Sequence, residues 1–305
     1  MNARRLLLVH AHPDDETIGT GATMAHYSAS GAAVTLITCT LGEEGEILVP
    51  ELAQLAADQA DQLGGVRIGE LANAMQVLGV EDHRFLGGAG RFRDSGMIGT
   101  SANDNPRAFW RAASDEEVFK AAVSEAVAVI RETRPQVVIT YDPNGGYGHP
   151  DHIMAHRVTM AAVDAASDPD WRPAPESASE IVGEPWEISK LYWPALPKSL
   201  LAKSIQMLKE QGSDFFGLDN ADDFPFATPD EDVTTVVDGS RYGQAKQDAM
   251  RAHATQISVD GPFFALSNGI GQGIFATEYF QLVRGEVGPD RNEEGHEIDL
   301  FSGVA

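Results

Sequence analysis

The chain has 305 residues, with 46 Asp and Glu against 22 Lys and Arg, a formal net charge of −24 at pH 7. So acidic a surface repels phosphate backbones and anionic headgroups, which counts against nucleic acid and membrane as partners. A single cysteine, Cys39, excludes intrachain disulfides and Cys-rich zinc sites and is expected of a reducing, cytoplasmic compartment. The early apolar run at 6–9 is too short for a signal peptide and is cut by His10. No apolar run approaches the roughly 20 residues that span a bilayer.

In chain order, the run at 6–9 is followed by a helical pattern over 17–30 and a second apolar run at 34–39. A longer helical pattern covers 51–80, with a break expected at Gly64 and Gly65. Residues 115–133 predict another helix, opened by a capping box from Ser114 to Glu117 and closed before Pro135; a third run, 137–140, follows. Short apolar runs without alternation suit strands buried on both faces of a parallel sheet, and the helices between them make βαβ units. From about residue 169 the signal weakens into Pro-rich and acidic loops over 169–185 and 214–232. Strand patterns recur at 191–193, 233–237 and 279–283, and helical ones at 198–211 and 242–256. The expected class is α/β: a Rossmann-like, mostly parallel sheet flanked by helices. Residues 1–165 are expected to form its core, and 166–305 to pack on the same body and complete the pocket. Residues 286–296 and the tail are expected to be partly mobile.

Five of the nine histidines fall in two short segments, each directly after a predicted strand. The first runs His10-Ala11-His12-Pro13-Asp14-Asp15-Glu16; the second runs Tyr147-Gly148-His149-Pro150-Asp151-His152, with His156 one turn on. Ligands of open parallel sheets bind beyond the carboxyl ends of the strands, so both segments open onto one edge. Each proline biases the histidine before it away from helical geometry and presents it on a strand-to-helix turn. Acids at a helix start also satisfy the macrodipole, so Asp14, Asp15 and Glu16 have a purely capping reading. The doubling of the pattern favours a metal instead, because imidazoles plus a carboxylate make a catalytic Zn²⁺ set with a position left for water. Spacing alone does not choose between Asp14 and Asp15. The glycines at 87–90 and 145–146 match neither a dinucleotide fingerprint nor a P-loop and are taken as loops.

The paired Ala-His-Pro-Asp-Asp-Glu and His-Pro-Asp-His segments resemble the zinc-dependent N-acetylglucosaminide deacetylase superfamily of PIG-L/LmbE type. Further stretches, at 38–46, 62–71, 86–97, 141–152 and 252–256, are similar to the branch that deacetylates N-acetylglucosaminyl-inositol in mycothiol biosynthesis. The resemblance covers most of residues 5–165. It implies His12, Asp15 and His152 as metal ligands and Asp14 as the general base toward a metal-activated water. It also implies His149 and Tyr147 as groups that stabilise the oxyanion and help protonate the leaving amine. An acid role for His149 requires a charged ring, which Asp14 or Asp151 nearby would favour. Asp151 otherwise suits a group that orients a ligand histidine. Arg67 and Asp94 match positions that hold the sugar, against the plainer reading of a surface ion pair. Glu46 and Met97 are expected to line the pocket, and Tyr147 has a competing reading as an aromatic packed on the Gly145-Gly146 turn. The implied cofactor is one Zn²⁺ per chain, with Fe²⁺ the other ion that accepts this set. The implied partner is a small neutral glycoside, which needs no basic groove.

The sibling mycothiol S-conjugate amidases carry a lysine shortly after the first motif, where this chain has Thr17-Ile18-Gly19-Thr20-Gly21. A deacetylase for another N-acetylglucosamine-containing small molecule is the second alternative. A closed, structural metal site is the third, and the intact Asp14 and His149 count against it.

Overall fold

The computed structural model describes residues 3–304 except 178, 180–182, 212–219, 222–223 and 225–226. The loops expected over 169–185 and 214–232 therefore lie partly outside the described residues. The elements are β1 (Arg5–His10), α1 (Asp15–Ala29), β2 (Ala33–Thr38), α2 (Leu63–Leu78), β3 (Asp82–Phe85), α3 (Glu116–Thr133) and β4 (Val137–Ile139). There follow the single turn α4 (Gly145–Gly148), then α5 (Pro150–Ser167), β5 (Lys190–Ala195), α6 (Lys198–Gln211), β6 (Thr235–Asp238) and α7 (Gly243–Ala252). Three short strands, β7 (Ser258–Asp260), β8 (Phe263–Ala265) and β9 (Gln272–Gly273), precede β10 (Thr277–Arg284).

Seven strands make one sheet in the order β3-β2-β1-β4-β5-β10-β6. The first five are parallel, and β10 runs antiparallel to both of its neighbours. β1 is buried on both faces because its side chains alternate between two cores. Leu7 and Val9 pack with α3 and α5, whereas Leu6 and Leu8 pack with α1, α2 and α7. From β1 the chain proceeds outward through β2 and β3, then crosses back to place β4 on the other side of β1. That reversal is a topological switch point, where open α/β sheets bind their ligands, and the loops after β1 and β4 meet there.

The structure departs from the sequence expectations at several places. The helix expected over 51–80 begins only at Leu63, after a 3₁₀ turn over Pro50–Leu55, and runs through Gly64 and Gly65 without a break. A Cβ on Gly64 would stand 3.0 Å from Leu41 Cβ and Glu43 Cγ, so this glycine permits close packing of the first turn on the loop after β2. The cap of α3 is Asp115, not Ser114: its carboxylate accepts from Glu117 N and Val118 N. Strand β3 was not anticipated, because this edge strand (Asp82-His83-Arg84-Phe85) is only half-buried and carries no apolar run. Of the tail, Glu297, Leu300 and Phe301 are buried.

Candidate metal centre and active site

The loop after β1 is pinned to its neighbours before any ligand is considered. Cys39 N donates to His10 O and Thr40 N to Ala11 O, prolonging the β1–β2 ladder, and His12 N donates to Asp15 Oδ2 at 2.9 Å. Asp14 then adopts φ 130°, ψ −37°, outside the usual range for an L residue. Such a conformation costs on the order of 1–3 kcal/mol and persists only where the surroundings impose it. After β4, Gly145 turns the chain so closely that a Cβ there would stand 2.6 Å from His152 Cβ. His149 then caps α5, its Nδ1 accepting from Asp151 N at 3.1 Å, and Pro150 occupies the first helical turn.

Three donor atoms from these two loops form a near-equilateral triangle. His12 Nδ1 and His152 Nε2 lie 3.3 Å apart, and each lies 3.3 Å from Asp15 Oδ2. Ligands about 2.0–2.1 Å from one ion at tetrahedral angles stand about 3.3–3.4 Å from each other, so the triangle has the edge length of a zinc site. Wider sets, His12 with His149 and His152, and His12 with Asp94 and Asp151, also bring donors within 4.8 Å. The last two carboxylates face the opposite ring nitrogen: His12 Nε2 lies 3.3 Å from Asp151 Oδ2 and 3.5 Å from Asp94 Oδ1. A proton held at Nε2 leaves Nδ1 free to ligate, the usual support for a metal-binding histidine. Burial disfavours charge on His12, yet Asp94, Asp15 and Asp151 together raise its pKa well above the ordinary value. A pocket with this much carboxylate draws a cation.

Around the triangle, each sequence-predicted residue has a defined place. Burial pushes the Asp14 carboxyl up to about 6, restrained chiefly by Arg67, whose Nη2 lies 3.0 Å from Asp14 Oδ2. Arg67 also donates to Gly42 O and Pro13 O. Arg67 and Asp94 are only 2% and 4% exposed, so neither belongs to a surface ion pair, and the partner of Arg67 is Asp14. Asp94 accepts from Gly96 N and Glu44 N and lies 3.9 Å from His149 Nε2. Burial opposes its ionisation, but His12 and His149 hold it well below the usual carboxylate range.

Burial works against charge on the His149 ring, the direction opposite to the one an acid role requires. Burial, then the neighbouring His12 and His152, push its pKa down to about 3. Because Nδ1 accepts from the backbone, the ring proton sits on Nε2 and can be donated into the cleft. Tyr147 stands at the mouth, 48% exposed, its ring edge-on to His152 at 5.0 Å. Met97 and Glu46 are exposed on nearby loops.

Tyr141, Ser95 and His253 serve the site without having been singled out, and Glu16, read in the sequence as a capping acid, joins them. Tyr141 donates its hydroxyl to Asp15 Oδ2 at 2.7 Å, accepts from Ala11 N at 2.9 Å and stacks on His152 with ring centres 4.3 Å apart. Ser95 holds Asp151 through both its N–H and its hydroxyl. Glu16 and His253 form a fully buried pair beneath Asp14. Tyr141 opens, and His253 lies within, segments already similar to the deacetylase branch, and that was the only signal for either.

Comparison with known proteins agrees with this architecture. Residues 7–163 match the family described as PIG-L, GlcNAc-PI de-N-acetylase. The 1D-myo-inositol 2-acetamido-2-deoxy-alpha-D-glucopyranoside deacetylase of Geodermatophilus obscurus is 63% identical over 304 residues, 99% of this chain and 98% of that protein. The protein described as deacetylase 1 for the same glycoside in Catenulispora acidiphila is 57% identical, over 99% of this chain and 90% of its own length. Among solved structures, N,N'-diacetylchitobiose deacetylase from Pyrococcus horikoshii shares the fold, with a TM-score of 0.56 at 19% identity over 93% of this chain and 85% of that one. On the family match across half the chain and the full-length identities, the chain belongs to the PIG-L family.

Proposed function

We propose that this protein hydrolyses the acetamide of 1-O-(2-acetamido-2-deoxy-glucopyranosyl)-myo-inositol, releasing glucosaminyl-inositol and acetate as a step of mycothiol biosynthesis. What carries the reading is an ion-sized donor triangle beside a buried carboxylate, in a chain 63% identical along its length to a deacetylase of that glycoside. His12 Nδ1, Asp15 Oδ2 and His152 Nε2 would hold the metal, a donor set that suits Zn²⁺ and that Fe²⁺ also accepts. When bound, the metal supplies a Lewis acid for the acetamide oxygen and lowers the pKa of water toward about 7.

The chain's own residues do the rest. Asp14, with its carboxyl near 6, is ionised at neutral pH and basic enough to take the proton of the attacking water. Arg67 holds that carboxylate from its far side. His149 offers its Nε2–H to the oxygen that gains charge as the carbonyl becomes tetrahedral, and its fixed tautomer means no reorganisation is needed. The proton collected by Asp14 is then available to the departing amine, which returns the carboxylate to its starting state. Tyr147 at the mouth is placed to add a second donor. Asp94, ionised and rigidly held, accepts from sugar hydroxyls.

The test is release of acetate and free amine from that glycoside, compared with a mycothiol S-conjugate. Equal release of both products from the glycoside, abolished by chelation and restored by Zn²⁺ or Fe²⁺, is expected. Asp14→Asn is expected to retain metal and lose about 10²–10⁴ in turnover. Metal-loaded protein that cleaves only the S-conjugate would replace this reading with the amidase.

A further inference from the structure

We infer that the buried Glu16–His253 pair is a positioning device for the base, fixing the Asp14 peptide in its strained conformation and so aiming the carboxylate. The inference rests on the assignment of Asp14 as general base. Asp14 at φ 130° does not hold itself there, and two contacts grip it from opposite ends. Arg67 grips the carboxylate and the preceding carbonyl of Pro13. The peptide end is gripped by Glu16, whose Oε2 accepts from Asp14 N at 2.9 Å.

Glu16 alone would be a weak grip, because a carboxylate can rotate and exchange its oxygens. His253 removes that freedom: its Nε2 lies 2.7 Å from Glu16 Oε1, which leaves Oε2 for Asp14. Both side chains are fully buried, so water does not compete for either oxygen. His253 Nδ1 has no hydrogen-bond partner among the described residues, so Glu16 is what orients the ring.

His253 is itself on a braced segment. Its carbonyl accepts from Gln256 N and Ile257 N, Thr255 is held by both oxygens of Glu70 on α2, and Leu48 N donates to Thr255 O. The chain just after α7 thus ties α2, the loop carrying Glu46 and the catalytic turn to one anchor. This gives residues 252–256, similar to the deacetylase branch yet remote from the motifs in sequence, a task at the site.

The decisive comparison is kcat, KM and metal affinity for His253→Leu, His253→Gln, Glu16→Gln and Asp14→Asn, measured on folded, metal-loaded protein with the acetylated glycoside. His253→Leu is expected to lower kcat by about 10-fold or more, as displacement of a reacting group does, with KM and metal affinity unchanged. His253→Gln keeps an N–H donor near the Nε2 position and is expected to recover most of the loss. In an Asp14→Asn background, His253→Leu is expected to have no further effect, because the two act on one step.

Wild-type kcat in His253→Leu, an equal loss in the Gln and Leu variants, or a full additional loss in the Asp14→Asn background would each overturn the inference. Should the Leu variant not fold, Glu16→Gln decides. It has one acceptor oxygen for two donors and is expected to lower kcat alone; unchanged kcat overturns the inference. Wild-type turnover in Asp14→Asn would instead remove the base assignment on which the inference stands.

Discussion

Tyr141 shows how much of the candidate metal site lies in residues outside the donor triangle. Its hydroxyl is the hinge of a short chain from Ala11 N to Asp15 Oδ2, and its ring lies flat against His152. Tyr141→Phe keeps the stack and removes the hinge. Ala11 N–H is then buried without a partner, and Asp15 keeps only the N–H of His12 to orient the oxygen that faces both histidines. The expected outcome is a loss of metal affinity of about 10–100-fold, the usual effect of deleting such a support. A destabilisation of about 1–3 kcal/mol should accompany it. Competition with a chelator reads the first and thermal unfolding the second; unchanged affinity would mean that His12 N–H alone sets Asp15. The motif residues were legible in the sequence because ligand chemistry and helix starts both leave local spacing. Tyr141, Ser95 and His253 were not, because their partners are brought together by the fold: His253 and Glu16 are 237 residues apart.

At the level of elements, the site depends on how β4 gives way to α5. Over the ten residues from Thr140 to His149 the chain must turn and present His149 as the cap of a helix that carries His152 toward the switch point. Gly145 at φ 63° makes the turn against the His152 backbone, whereas Gly148 at φ 90° has nothing within 4 Å of a would-be Cβ. Gly145→Ala is therefore expected to destabilise by about 1–3 kcal/mol and to weaken metal binding, since relief of the clash displaces His152. Gly148→Ala should carry only the backbone penalty, about 1 kcal/mol, and leave the metal in place. Denaturant titration with and without metal separates the two, and equal effects on metal affinity would contradict the argument. The same physics decides which elements the sequence revealed. β1, β2 and β4 are buried on both faces and read as continuous apolar runs, and α1 and α3 lie between them. β3 is a short charged edge, and β7, β8 and β9 have two or three residues each, too few for any period to register. The expected break at Gly64 and Gly65 did not occur because Gly64 serves close contact with Leu41 and Glu43, while the start of α2 lies at Leu63 because Pro50–Leu55 forms a separate 3₁₀ turn.

The whole molecule must also close the two edges of its sheet, since unpaired edge strands invite association. The β3 edge is short and bears Asp82 and Arg84, the arginine bound to Glu132 on α3. At the other edge the C-terminal segment covers β6: Glu297 N donates to Thr234 O and Val236 N to Glu297 O. The Glu297 side chain turns inward, where it is fully buried and accepts from Lys190 Nζ, Tyr192 OH, Thr235 Oγ1 and Gly288 N. Lys190 and Tyr192 lie on β5, two strands away, so one carboxylate joins the tail, the edge strand and the middle of the sheet. Removal of one partner from a buried, fully bonded pair strands the other charge, which costs about 3–5 kcal/mol. Glu297→Ala is expected to lose that amount in denaturant unfolding, since Lys190 remains buried with only Ser302 O for its ammonium. Replacing both residues, Lys190→Met with Glu297→Leu, should recover much of the loss, because no charge is then left without a partner. A Glu297→Ala protein as stable as the parent would mean that the tail is held by Leu300 and Phe301 packing alone. The acidity of the chain sharpens the test: at a net charge of −24, removing one buried anion relieves repulsion slightly, so any measured loss understates the pairing.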